Sequence, residues 1–325
     1  MARTRSVPDL YLLGKVSTLY YVCECTQQEI ADRLHLSRPR VSRLLQEAQA
    51  LGIVQITVSP PQGLHLDLET DLERRFGLVE AQVINVERGQ PAEVLRRELG
   101  AAAAAHLCRT VHPGAAIGLT WGRTLSLMVQ AMSPLSTPDV RVVQTLGGIG
   151  PPEADAHAAA LVIRLAQLLG ASAALLPAPA VVGTAAARDV LRQDPHVQMA
   201  LEQLNDLDVV YVGVGSLQSN PVLTDGRSLP PGTIDELEAG GAIGDIALRF
   251  FDADGRLVRT SLDERILGIS TEQLRALKQV VAVAGGCDKA DAIAAALETG
   301  LIDVLITDQI TAEAITAPRP VPRGS

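Results

Sequence analysis

With 325 residues, of which 47% are apolar but only 2% aromatic, the chain exceeds one average domain and must fill a large core with Ala, Val, Leu and Ile. No run reaches the ~18 uninterrupted apolar residues of a membrane span. The N-terminal MARTRSVPDL lacks a signal peptide's apolar core, so a cytoplasmic protein is expected. The net charge of -9 is unevenly spread: residues 1–60 hold seven Lys/Arg against five Asp/Glu, and the remainder 21 against 32.

Residues 9–22, DLYLLGKVSTLYYV, repeat apolar side chains every three to four positions and predict a helix. Cys23 and Cys25 form a lone C-x-C. Neither they nor Cys108 and Cys287 have partners at zinc-site spacing, so no metal site is expected. TQQEIADRL follows, with Thr26 as N-cap and Glu29 placed to complete a capping box. A tight turn leads to Ser37, a second N-cap, and to Pro39 in the first turn of a third helix. Val41, Leu44, Leu45 and Ala48 mark its buried face; Arg38, Arg40, Ser42, Arg43 and Gln46 mark the other. Gly52 ends it, and the alternation in Ile53–Val58 predicts a strand.

This order is that of a winged helix-turn-helix over residues 1–60. The longer helix would enter the major groove, where Arg makes bidentate contacts with guanine. Gln27, Ser37 and Ser42 have the side chains for phosphate and base-edge contacts. The turn carries His35 where such motifs often carry glycine; His tolerates the left-handed conformation, though less well.

GLHLDLETDLERRFGL, within a linker assigned to residues 61–78, has one apolar stripe at Leu64, Leu68, Leu72 and Phe76. A helix with such a stripe either pairs with a second copy or docks on its own domain. Over 79–317, strands at Ala81–Val86, Ala115–Leu119, Val140–Leu146, Ala173–Leu176, Val209–Val214, Val280–Ala284 and Val304–Thr307 are predicted. Helices at Ala92–Arg109, Arg123–Met132, Ala154–Leu169 and Lys289–Glu298 lie between them. The alternation predicts a parallel sheet covered on both faces, with ligands at the carboxyl ends of its strands. The tail from 318 is read as flexible, and Val321–Ser325 resembles the scar of a protease-cleavage site.

Three loops suit an anion: GLTWGRTL (Gly118–Leu125), QTLGGIG (Gln144–Gly150) and VAVAGGCDKADAI (Val281–Ile293). Lys289 stands out, because the chain has three lysines against 25 arginines. No G-x-x-x-x-G-K-[ST] is present, so the loop is not a P-loop nucleotide site.

The stretch TQQEIADRLHLSRPRVSRLLQEAQALGIVQITV resembles the N-terminal domain of SorC-family transcriptional regulators. GLTWGRTL, LPAPAVV, DVVYVGVGSL, GAIGDIALRFFDADG and VAGGCDKADAI resemble that family's effector domain, in the same order. The resemblance implies a Rossmann-like α/β domain akin to ribose-5-phosphate and glucosamine-6-phosphate isomerases. It also implies a homodimer or homotetramer on double-stranded operator DNA, with a sugar phosphate as effector and no cofactor. By it, Thr120, Gly122, Thr124, Gly285, Gly286 and Lys289 would hold the phosphate, and Gln144, Gly147, Gly148 and Asp245 would face the sugar.

An isomerase is the rival, with Asp245 and Asp288 as available bases. His106, His112, His157 and His196 have no partner at catalytic spacing, and an isomerase has no use for a reader domain. No catalytic residue is therefore expected.

Overall fold

A computed structural model describes residues 9–56, 63–148, 152–217, 229 and 232–317, with the side chains of 152–157 left aside. The chain divides into two compact units, Met1–Pro60 and Pro61–Ser325, called here the head and the body.

The head holds α1 (Leu10–Ser17), α2 (Gln27–Leu34) and α3 (Arg38–Ala50). α1 runs on through a widened π turn at Thr18–Val22, so the predicted helix over 9–22 is continuous. Val16, Leu19, Ile30, Ala31, Val41 and Leu45 close a small core. The predicted strand Ile53–Val58 needs correction. After Gly52 (φ 72°) the Ile53 and Val54 N–H groups both donate to the Ala48 carbonyl, so the chain folds back on the end of α3. Ile53–Ile56 form no strand, and Thr57 and Val58 lie outside the described residues. A strand needs a neighbour to pair with, and Ile53–Ile56 have none among the described residues.

The body opens with α4 (Leu66–Phe76), then β1 (Glu80–Ile84), α5 (Ala92–Thr110), β2 (Ala116–Leu119) and α6 (Arg123–Ala131). Next come β3 (Arg141–Gln144), α7 (Pro152–Leu169), β4 (Ser172–Ala174), α8 (Ala185–Arg192), α9 (Pro195–Glu202) and β5 (Val209–Val212). After β6 (Val214–Ser216) follow α10 (Thr233–Ala239), β7 (Gly244–Ile246), β8 (Arg249–Phe251) and α11 (Thr271–Ala276). The body closes with β9 (Gln279–Val283), α12 (Ala290–Glu298), β10 (Val304–Asp308) and α13 (Gln309–Thr316).

Seven strands form one sheet in the order β1-β10-β9-β5-β2-β3-β4, and every adjacent pair is parallel. The chain steps outward from β2 to β3 and β4, then returns to β5 on β2's other side. The switch point therefore lies between β2 and β5, where ligands of such sheets collect. Separate apolar cores cover the sheet, as expected when both faces are buried. Val209–Val214, predicted as one strand, is two: the chain leaves the large sheet at Gly213 and enters an antiparallel sheet, β6-β7-β8.

The stripe of α4 docks on its own domain. Leu72 is fully buried, and Leu68 and Phe76 pack on the same core as Ala312 and Ile315 of α13. α4 also covers the free edge of β1. Glu73 accepts the Ala81 N–H and Glu69 the Val83 N–H, each at 2.9 Å. The fit is geometric: carboxylates four apart on a helix are spaced about 6 Å, close to the spacing of alternate N–H groups along a strand, about 6.6 Å. Side chains thus replace the absent neighbouring strand.

Candidate functional site

In the head, the reader geometry begins with a completed capping box. The Thr26 N–H donates to Glu29 at 2.8 Å, and the Glu29 N–H to the Thr26 hydroxyl at 3.3 Å. The Thr26 N–H, and the Thr26 hydroxyl that donates to the same carboxylate at 2.9 Å, hold the Glu29 carboxyl below its ordinary range. His35 adopts the left-handed conformation (φ 52°, ψ 43°) and turns the chain into α3. Ser37 stands at the N-cap of α3 in extended conformation, but its side chain makes no capping bond. Ser37, Arg38, Arg40 and Arg43 are exposed; Gln27 and Ser42 are half-buried. Arg43 Nε donates back to the Pro39 carbonyl at 3.3 Å, which draws its guanidinium toward its own helix. One basic helix start is thereby presented to solvent, opposite the buried Val41, Leu45 and Ala48.

In the body, the three glycine-bearing loops leave β2, β3 and β9. These strands and β5 are consecutive in the sheet, so all three loops open on one end of it around the switch point. Thr120 ends β2 and is buried. Its N–H and its hydroxyl both donate to the Tyr211 carbonyl of β5, at 3.1 and 3.2 Å, so it ties the two strand ends together. Gly122 stands exposed at the N-cap of α6 with no side chain over the helix start, and Thr124 follows half-buried in the first turn. The indole nitrogen of Trp121, the residue before Gly122, is buried without a hydrogen-bond partner among the described residues. Sequence reading passed over it, because an unmet donor leaves no trace in a motif.

The loop after β3 is packed tight. The Gln144 amide donates to the Leu146 carbonyl at 2.8 Å and accepts the Leu176 N–H at 3.4 Å. Both polar ends of Gln144 are thus engaged by backbone, and it braces the loop. A Cβ on Gly147 would stand 2.4 Å from the Ala178 carbonyl oxygen, so glycine there allows two backbones to touch. Gly148 bonds the same segment, its N–H donating to Ala178 at 3.0 Å. Ile149 and Gly150 lie outside the described residues.

The loop after β9 carries the charge. Lys289, half-buried at the start of α12, donates through Nζ to the Val214 carbonyl at 3.5 Å. Burial pushes its ammonium below the ordinary lysine range. Asp288 opposes that shift, Arg96 reinforces it and Asp245 opposes it. Lys289 is thereby grouped with two carboxylates and a second cation, Arg96 of α5, which sequence reading did not single out. Asp245 sits in β7, buried; its carboxylate accepts the Leu248 N–H at 3.0 Å. It steadies a hairpin whose central residues, Ala247 and Leu248, both have positive φ (52° and 60°).

Gly285 and Gly286 lie against Asp308, at the end of β10. A Cβ on Gly285 would meet Asp308 Oδ2 at 2.3 Å. The Gly286 N–H donates to Asp308 Oδ2 at 2.9 Å and to the Thr311 hydroxyl at 2.8 Å. Asp308 was legible in part: Asp-x-x-Thr after a strand is an N-cap signal. Its hold on a loop 22 residues earlier was not.

Three of the histidines have described surroundings. His106 is buried on α5 with Nδ1 2.8 Å from the Tyr211 hydroxyl; His112 Nδ1 lies 3.0 Å from the Pro113 carbonyl; His196 is exposed. The His157 side chain is outside those described. Among the described residues no His/Cys/Asp/Glu group has metal-binding geometry, and no helix is long and apolar enough to cross a membrane.

Residues 61–317 match a family described as "Putative sugar-binding domain", and residues 10–63 match the MarR family. The deoxyribonucleoside regulator of Bacillus subtilis is 32% identical over 305 residues, 93% of this chain and 96% of the relative. The sorbitol operon regulator of Klebsiella pneumoniae is 32% identical over 311 residues, 94% of this chain and 97% of the relative. The crystal structure of full-length SorC from Klebsiella pneumoniae superposes with a TM-score of 0.72 at 30% identity, over 96% of this chain and 100% of that one. Each of these proteins is named as a regulator and none as an enzyme. With a helix-turn-helix head, a parallel α/β body and similarity along nearly its whole length, the chain belongs to the SorC family of sugar-binding transcriptional regulators.

Proposed function

We propose that the chain controls a sugar catabolic operon in the cytoplasm, binding operator DNA as a homodimer or homotetramer and responding to a phosphorylated sugar. The observation that carries the effector reading is Lys289, a half-buried cation in a Gly-Gly loop at the carboxyl end of β9, within electrostatic reach of Arg96. A cation disfavoured by burial gains most from an anion that replaces its lost water. The open start of α6 at Gly122 adds backbone N–H groups suited to phosphate oxygens, and the Gly286 N–H would join them only by leaving Asp308 and Thr311. In this proposal Thr124 would contact the same phosphate, and Asp245 the sugar hydroxyls. Thr120, Gln144, Gly147 and Gly148 hold the walls of the site through their backbone contacts. In the head, Arg38 and Arg40 are assigned to base edges or phosphates, with Gln27, Ser37, Ser42 and Arg43 beside them. An effector acts only by binding two arrangements of the heads with different affinity.

The two relatives are named for deoxyribonucleosides and for sorbitol, which sets the test panel. Deoxyribose 5-phosphate, sorbitol 6-phosphate and glucose 6-phosphate are screened by thermal shift against the free sugars, inorganic phosphate and AMP. At least one sugar phosphate should raise the melting temperature, and Lys289→Ala should lose that rise while keeping operator binding. Equal stabilisation by free sugars would remove the phosphate from the reading, and isomerase turnover of any hit would restore the enzyme.

A further inference from the structure

α13 is held at its two ends by groups from two different places. At its start, Asp308 is the N-cap: Oδ1 accepts the Thr311 N–H at 2.9 Å and Oδ2 accepts the Thr311 hydroxyl at 2.6 Å. The same Oδ2 and the same hydroxyl accept the Gly286 N–H of the loop after β9. At its far end, Arg75 of α4 donates to the Ile315 carbonyl at 2.8 Å, satisfying one of the acceptors a helix terminus leaves open. Between these ends run two turns, about 12 Å of helix, with Ala312 and Ile315 buried in the core that also takes Leu72 of α4.

We infer that α13 is the lever by which α4 reads the loop after β9, with Asp308 and Thr311 as its positioning residues at one end and Arg75 at the other. The inference rests on the proposed anion site at that loop. Gly285 lies so near Asp308 that any side chain on it would collide with the carboxylate, so the loop and the cap of α13 share one confined space. The Gly286 N–H faces Asp308 and Thr311. An anion on the loop therefore either turns that peptide away from Asp308 or brings a second negative charge toward it. Both disturb the cap of α13. A short packed helix passes such a disturbance on as a rigid shift, because close-packed contacts do not deform continuously. The element receiving it, α4, is the first of the body and follows the head in the chain.

Hydrogen exchange on the full chain without ligand tests the lever directly. Thr311→Val keeps the shape of a fully buried side chain and removes the hydroxyl shared by Gly286 and Asp308. The α4 amides and the Ala81 and Val83 N–H groups should then exchange at least about threefold faster, as local opening becomes easier. Thr311→Ser, which keeps the hydroxyl, should exchange as wild type. Faster exchange confined to 284–290 and 308–312, with α4 unchanged, overturns the inference. A second arm uses deoxyribose 5-phosphate or sorbitol 6-phosphate, whichever stabilises the wild type more. Arg75→Ala should bind that compound within about twofold of wild type but lose most of a coupling of roughly 5–150-fold in operator affinity. A full response in Arg75→Ala also overturns the lever. If neither compound binds, the proposed function fails while the ligand-free exchange still decides on α13.

Discussion

His106 shows what one buried side chain adds outside the site. It is 1% exposed on α5, shares a hydrogen bond with the Tyr211 hydroxyl of β5, and has Glu80 of β1 3.9 Å from Nε2. Glu80 is itself paired with Arg109 at 2.5 Å. Burial pushes the imidazole below its ordinary value of 6.5; Glu80 opposes this and Arg109 reinforces it. A depressed pKa means that the unfolded chain takes up the proton first as pH falls. The folded state keeps its full stability above about 6.5 and loses some as pH drops toward the lowered value. His106→Gln keeps a partner for Tyr211 and removes the titration. Its melting temperature should therefore fall less than that of wild type between pH 7 and pH 5. Equal slopes would mean that His106 titrates alike in both states. From sequence this histidine had no partner at catalytic spacing. Its partner lies 105 positions away, beyond any local pattern.

At the scale of elements, α3 was legible because every local signal agreed: a cap position, a proline in the first turn, a glycine after the end and two distinct faces. Its predicted successor is no strand over Ile53–Ile56, which pair with no second segment among the described residues; a strand is a property of two segments. β7 and β8 escaped notice for a related reason. They are three residues each, and their turn uses Ala247 and Leu248 where glycine or asparagine would have announced it. The α3 reading has a quantitative consequence. Replacing Arg38 or Arg40 by Ala should cost about 1–3 kcal/mol at the preferred operator if the side chain reads a base. A phosphate contact should instead weaken all sequences alike and reduce the salt slope by about 1. Fluorescence anisotropy at several salt concentrations separates the two, and operator binding unchanged in Arg38/Arg40/Arg43→Ala would end the assignment.

For the whole molecule, strand alternation disclosed the parallel sheet, and the glycines after β2, β3 and β9 mark loops that open on one end of it. The pinning of one loop by Asp308, and the coverage of β1 by α4, were hidden because both join segments far apart in the chain or depend on side-chain reach. Head and body each close a core of their own, the head around Ile30 and Val41 and the body on both faces of the sheet. A polypeptide of residues 63–317 should accordingly fold alone, melt cooperatively, and show the same stabilisation by sugar phosphate that is expected of the full chain. Calorimetry checks this. Loss of cooperative melting would show that the body depends on the head.

The carboxylates of Glu69 and Glu73 on the margin of β1 also decide where such a protein can be recombined. A hybrid that grafts a foreign reader after Phe76 would strip the sheet of its guard and leave two strand amides bare, inviting aggregation. A seam placed before Leu64 would carry the guard along with the sheet it protects.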